Sequence, residues 1–420
     1  MQTRRTFLNM AAVAVVSAAR PAQTWAQSKK IVLRIGHVPL SGHLPMVIAM
    51  REEKLLEKHA AAFGYQATPE WTPFVTGPPA NEAFIAGQLD VDMHFGSTMM
   101  ALRVNNRVPF LVLGVDASHL SNAVLVRPGG GVDDIPKLQG KTIGLPVGTT
   151  AHYMLSSVIA YHLGKTLAEA NIKIVNMPPA DAVKMPSGID AAAVWVPFKY
   201  MGDSLGTGHV LIDAEGFTGR GHRTPNVRLP EVSKAWGYPE GYLVDRTYLT
   251  VREALFKEHP KLALAYLLAR WEAQDLVTSR FDYFVEKANE VWHMPPHIAK
   301  LAARTYPEQS NIRNAPVVLE SDALAIMKTS EFYVNLGSMD QAISWNKLAP
   351  FVSRTADVQR QAWELRHSQP PVSQMEKGFH GTVPEIPEII VNGGRPIWLL
   401  PDTPDWATRL YKPGPFPITR

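Results

Sequence analysis

The feature that most constrains this chain is a plan that occurs twice. Ile31 to Gly36 is a short β-branched run ending in glycine and a Pro-containing loop, and Pro45 to Lys58 then carries helical periodicity. Lys141 to Gly144 begins the same way, followed by the loop Leu145 to Thr149 and a helix-like run from Thr150 to Leu163. Ala86-Gly87-Gln88-Leu89-Asp90-Val91 ends one helix and opens a strand, and Ser187-Gly188-Ile189-Asp190-Ala191 repeats the small-Gly-apolar-Asp pattern. Gly36 and Gly144 precede their Asp partners by 54 and 46 residues. Taken singly, each turn is a generic helix-to-strand junction with glycine as the left-handed cap. Two matching pairs in matching order predict two α/β lobes built alike, with ligand-gathering loops at the carboxyl ends of their strands.

After Gly241 the pattern turns helical over Arg252–His259, Pro260–Ser279, Phe281–Trp292 and Ser321–Leu336. A crossover near Asp116 to Asn122 and a return over Gly241 to Leu249 make a two-strand hinge. The expected division is lobe 1 from 30–118 and 243–345, and lobe 2 from 119–242 with an Arg- and Pro-rich insertion at 217–240. A helix and an extended tail then occupy 350–420. Ten prolines from Gln369 onward are too many for packed helices or central strands, and Trp398 and Trp406 suggest an arm pinned by aromatic anchors, a disordered tail being the alternative.

Residues 1–26 read as a signal peptide: Arg4-Arg5 before Phe7-Leu8, an apolar run from Met10 to Ala19, and a small-residue end at Thr24-Trp25-Ala26. The paired arginines resemble the twin-arginine export motif; an ordinary secretory signal is the alternative. A periplasmic location is therefore expected. Without Arg4, Arg5 and Arg20 the chain holds 39 basic against 38 acidic residues, too balanced to draw in nucleic acid. The absence of cysteine excludes thiolate catalysis and disulfides.

Gly148-Thr149-Thr150-Ala151-His152 is the strongest local candidate for binding. A glycine turn opening a helix leaves amides without partners, so an anion can sit there beside the Thr149 and Thr150 hydroxyls without a basic residue. A plain threonine N-cap is the bland alternative. Gly96-Ser97-Thr98 offers the same chemistry after the strand Val91 to Phe95, and His37, Ser41 and Gly42 occupy the first strand-end loop. Trp195 and Tyr242 suit apolar walls, a place in the core being the alternative for each. Arg220 and Arg223 are fork-shaped counter-charges if they are not simply solvated. His293 and His297 flank Pro295-Pro296, which opposes a shared helical face, and no His-Glu-x-x-His or Walker loop appears. Neither a cofactor nor a metal is expected.

Leu33-Arg34-Ile35-Gly36, Phe84 to Asp90, Leu138-Gln139-Gly140-Lys141-Thr142-Ile143-Gly144, Gly148 to His152 and Trp195-Val196-Pro197-Phe198 stand in the order seen in ABC-transporter binding proteins. From about residue 31 to 345 the chain resembles the nitrate, sulfonate and taurine binding family. The resemblance implies a two-lobed, type II-like periplasmic binding protein fold with a hinge and an inter-lobe cleft. It also implies a small organic anion held by amides and hydroxyls, delivery to an inner-membrane ABC permease, and a monomer rather than an enzyme. Val196 departs from the aspartate often found there, and Thr98 or Met99 from a common proline. An enzyme or sensor on the same fold is the other reading; thiamine-pyrimidine synthases share the fold but carry a cysteine-rich motif.

Overall fold

The computed structural model describes residues 28–118, 122–214, 246–309, 316–366, 395–400 and 406–407. The expected signal peptide, the insertion, Tyr242, Arg220 and Arg223 lie outside the described residues.

Two five-stranded sheets share one topology. The first has the order β2-β1-β3-β10-β4, from β1 (Lys29–His37), β2 (Tyr65–Pro73), β3 (Val91–Gly96), β4 (Phe110–Ser118) and β10 (Arg246–Arg252). The second has the order β7-β6-β8-β5-β9, from β5 (Ala123–Val126), β6 (Thr142–Leu145), β7 (Lys173–Asn176), β8 (Ala191–Val194) and β9 (His209–Asp213). In each, the first three strands are parallel and the fourth position is antiparallel to both neighbours. That fourth strand is β10 in one sheet and β5 in the other, so each reaches its sheet after the chain has crossed from the other one.

The duplicated turns match in detail. The Asp90 carboxylate accepts the Arg34 amide at 3.0 Å, and the Asp190 carboxylate accepts the Thr142 amide at 2.9 Å. The Asp90 and Asp190 amides donate back to the carbonyls of Arg34 and Thr142, both at 2.9 Å. Gly36 and Gly144 are equivalent too. A Cβ on Gly36 would approach Leu89 at 2.7 Å, and one on Gly144 would approach Met177 at 2.8 Å, closer than atoms pack. The glycine–aspartate turn is thus a structural junction that fixes strand register rather than part of a pocket.

Helices α1 (Leu44–Glu52), α2 (Leu55–Ala62), α3 (Gly77–Ile85), α4 (Ser97–Asn105) and α5 (Thr150–Leu163) follow the strand ends. The single helix expected over Pro45–Lys58 is in fact two, because Lys54 takes the left-handed conformation at φ 48°, and the turn sends Leu55 and Leu56 into the core. Helices Pro260–Ser279 and Phe281–Trp292 stand where the periodicity puts them.

The helix Glu320–Asn335 has a wider role than closing one lobe. It is buried on all sides. One apolar cluster runs from Phe95 and Phe110 beside the first sheet, through Leu324 and Phe332, to Val124, Ile143 and Tyr153 in the second. Sequence periodicity cannot reveal this, since a helix buried all round has no polar stripe. The late segment covers it: Arg395 pairs with Glu320 at 2.6 Å, the Ile397 amide donates to the Val318 carbonyl at 2.9 Å, and Trp406 packs edge-on against Trp345. No helix among the described residues is long and apolar enough to cross a membrane.

Candidate functional site

A cleft of about 580 Å³, counting its open mouth, lies where the strand-end loops of the two sheets meet. Ser41, Gly42, Gly96, Thr98, Thr149, Thr150 and Trp195 all line it. Residues more than 150 positions apart in sequence therefore share one wall, as the duplicated plan leads one to expect.

The first side is the start of α4. Gly96 in extended conformation precedes Ser97, Thr98 and Met99, whose amides open the helix without intrahelical partners. The second side is the start of α5, where Gly148 turns at φ 77° and Thr149 is the N-cap. Two helix N-termini from different sheets thus border one space, each adding partial positive charge. The helix Glu320–Asn335 braces both: Thr329 donates to the Ser97 hydroxyl at 2.8 Å, and Tyr333 donates to the Gly148 carbonyl at 3.1 Å. Burial holds the Tyr333 phenol well above its usual range, so it remains a donor.

The hydroxyls divide by what their single proton already does. Thr149 donates to the Pro146 carbonyl at 2.7 Å and Ser41 to the Val38 carbonyl at 2.9 Å, so both stabilise turns. Thr150 donates to Asn122 Oδ1 over a long 3.3 Å, a bond an anion can replace.

Four expected residues border the site without lining it. Ser97 turns to Thr329 behind α4. Gly148 spends its amide on His152 Nδ1 at 3.3 Å. His152 packs against Phe332, and burial pushes its pKa down to about 4. His37 stands edge-on to Trp71; burial, with a smaller contribution from Arg51, lowers its pKa to about 4 as well. Both rings are neutral near neutrality and serve packing, because burial disfavours an imidazolium.

Sequence reasoning missed Val38, His43, Gly77, Phe95, Met99, Val196 and Thr247, which complete the lining. Thr247 is the most informative: its Oγ1 is buried and finds no hydrogen-bond partner among the described residues. It sits on β10 opposite Gly96 in the ladder, a pairing over 150 residues that no local pattern carries. Trp195 spans the cleft, its indole N–H donating to the Leu40 carbonyl at 3.1 Å. Aside from His43, no lining side chain among the described residues is titratable.

No protein-family model matches the chain. A protein of Bacillus subtilis (strain 168), provisionally named an aliphatic sulfonates-binding protein, is 24% identical over 149 residues, 35% of this chain and 44% of that relative. The match thus spans less than half of the relative's length. Among solved structures, the alkanesulfonate-binding protein of Xanthomonas axonopodis pv. citri bound to MOPS superposes with a TM-score of 0.60 at 17% identity, covering 77% of this chain and 98% of that one. The periplasmic nitrate-binding protein of Synechocystis PCC 6803 gives 0.59 at 13% identity over 80% and 89%. A desulfurization enzyme gives 0.53 at 12% identity over 80% and 99%. The resemblance read from the sequence is borne out at the level these likenesses reach: the chain has the two-lobed α/β fold of the sulfonate- and nitrate-binding periplasmic proteins.

Proposed function

We propose that this chain is the extracytoplasmic solute-binding component of an ABC importer, capturing a small organic anion, a sulfonate or carboxylate, and delivering it to an inner-membrane permease. The observation that carries this reading is the convergence of two helix N-termini from different sheets on one cleft whose described lining holds no fixed charge. Trp195, Phe95, Met99, Val38 and Val196 supply apolar walls, which suit a ligand with an organic body better than nitrate. Arg4-Arg5 and the apolar run after them support export to the periplasm.

A thermal-shift screen over 1-butanesulfonate, taurine, benzoate, bicarbonate and nitrate tests the ligand class. Stabilisation by an organic anion and not by nitrate is expected; stabilisation by nitrate alone overturns the organic-anion reading. Fractionation is expected to find a processed form starting near Gln27 in the periplasm, and a full-length cytoplasmic protein would overturn the location. The second reading is an enzyme on this fold, favoured by the desulfurization enzyme among the structural neighbours. Turnover of a sulfonate or sulfinate by the purified protein would establish it.

A further inference from the structure

Thr247 stands apart among the groups that line the cleft. It is only 6% exposed, and its Oγ1 has no hydrogen-bond partner among the described residues. Several other lining donors are engaged within the protein: Ser41 with the Val38 carbonyl, Thr149 with the Pro146 carbonyl, and the Trp195 indole with the Leu40 carbonyl. The strand explains the difference. β10 lies between β3 and β4, and across its two ladders Thr247 faces Gly96 and Ala117, neither of which has a side-chain acceptor. Three residues on, the Thr250 hydroxyl of the same strand donates to Asp92. The register with β4 also shifts between Thr247 and Tyr248, an irregularity of the kind that re-aims a side chain. A buried hydroxyl without a partner is unfavourable, so such a group marks a place where an acceptor arrives from outside the chain.

Gly96 is also the N-cap of α4. Directly opposed residues of an antiparallel ladder lie about 5 Å apart, so Thr247 borders the helix start whose amides lack intrahelical partners.

We propose that Thr247 is a ligand-binding side chain that sets the head-group preference of the cleft, its hydroxyl donating to a third oxygen that a sulfonate has and a carboxylate lacks. This rests on the reading of the cleft as an anion site. Donors reach the cleft from three elements: the first amides of α4, the first turn of α5 with Thr150, and Thr247 on β10. A carboxylate presents two oxygens, which the two helix starts satisfy from opposite sides. A sulfonate adds a third at a tetrahedral angle to the others, and a donor on a separate strand takes it. With a carboxylate bound the Thr247 hydroxyl stays unbonded, whereas with a sulfonate it gains a charge-assisted hydrogen bond. Threonine moves its hydroxyl to the methyl's position by one staggered step of χ1, so meeting the ligand needs no movement of the ladder.

Calorimetric titration of the full chain at neutral pH, where both head groups are ionised, tests this with two matched pairs of probes. These are 1-butanesulfonate against pentanoate, and benzenesulfonate against benzoate, which share an organic body and differ in the head group. The parent is expected to prefer the sulfonate in at least one pair. Thr247→Val keeps the shape and removes the donor; sulfonate affinity should fall about three- to tenfold while carboxylate affinity changes less than about twofold. Thr247→Ser keeps the hydroxyl and should retain most of the preference. Thr247→Ala removes the same donor and carries the test if the valine variant does not fold. Equal losses for both members of a pair, no loss for either, or a parent that prefers the carboxylates overturns the selecting role of Thr247 and leaves the cleft reading intact. Failure of all four probes to saturate the parent overturns both.

Discussion

The Trp195 indole N–H donates to the Leu40 carbonyl at 3.1 Å, tying the loop after β8 in the second sheet to the loop after β1 in the first. A neutral hydrogen bond contributes about 0.5–1.5 kcal/mol, enough to shift a two-state lobe equilibrium by roughly two- to tenfold. Trp195→Phe keeps an aromatic wall and removes the donor. The unliganded variant is expected to show a larger radius of gyration in solution scattering than the parent; an identical profile would mean that this bond does not hold the lobes together.

Thr247 should respond to ligand and hardly to unfolding. Its hydroxyl is buried without a partner among the described residues, so Thr247→Val removes an unsatisfied group at constant shape. Melting in the absence of ligand is expected at the same temperature or slightly higher, while affinity for 1-butanesulfonate falls about three- to tenfold. A lower melting temperature with unchanged affinity would place the hydroxyl in the architecture instead.

The two threonines at the start of α5 are expected to separate. Thr149→Val breaks the 2.7 Å bond to Pro146, costing about 1 kcal/mol of stability and less than about twofold in affinity. Thr150→Val gives up only the long bond to Asn122, so it should leave stability nearly intact and weaken anion binding about tenfold. Denaturant melts and calorimetry on both variants decide it: equal losses of affinity would contradict this division of labour.

Acid should destabilise the fold before its carboxylates titrate. His37 and His152 are pushed down to about 4 by burial, against about 6.5 in an unfolded chain. Their folded-state pKa is the lower one, so the unfolded chain binds protons first. The stability they contribute is fully present above about pH 6.5 and is lost as pH falls towards 4, on the order of 3 kcal/mol for each ring. His152→Gln keeps an acceptor for the Gly148 amide without titrating, and its melting temperature should fall less steeply over this window. A slope identical to that of the parent would show that His152 does not carry the effect.

The duplicated turns were legible in sequence because their chemistry is local. Asp90 and Asp190 bind strands that their own glycine turns deliver, and Gly148 with Thr149 begins α5 where a turn glycine and an N-cap threonine belong. Short-range backbone requirements leave short-range signals, and these fixed the α/β class, the repeat and the helix starts that face the cleft. The partners of those groups were decided only in three dimensions. Ser97, Thr98, Thr149 and Thr150 look alike along the chain; the fold turns Ser97 to Thr329 and spends the Thr149 proton on Pro146, while Thr98 and Thr150 line the cleft. Thr247 enters the site through a β-ladder partner 151 residues away in the chain. Burial and hydrogen-bond competition are properties of the packed ensemble of neighbours, so no window of sequence could assign them.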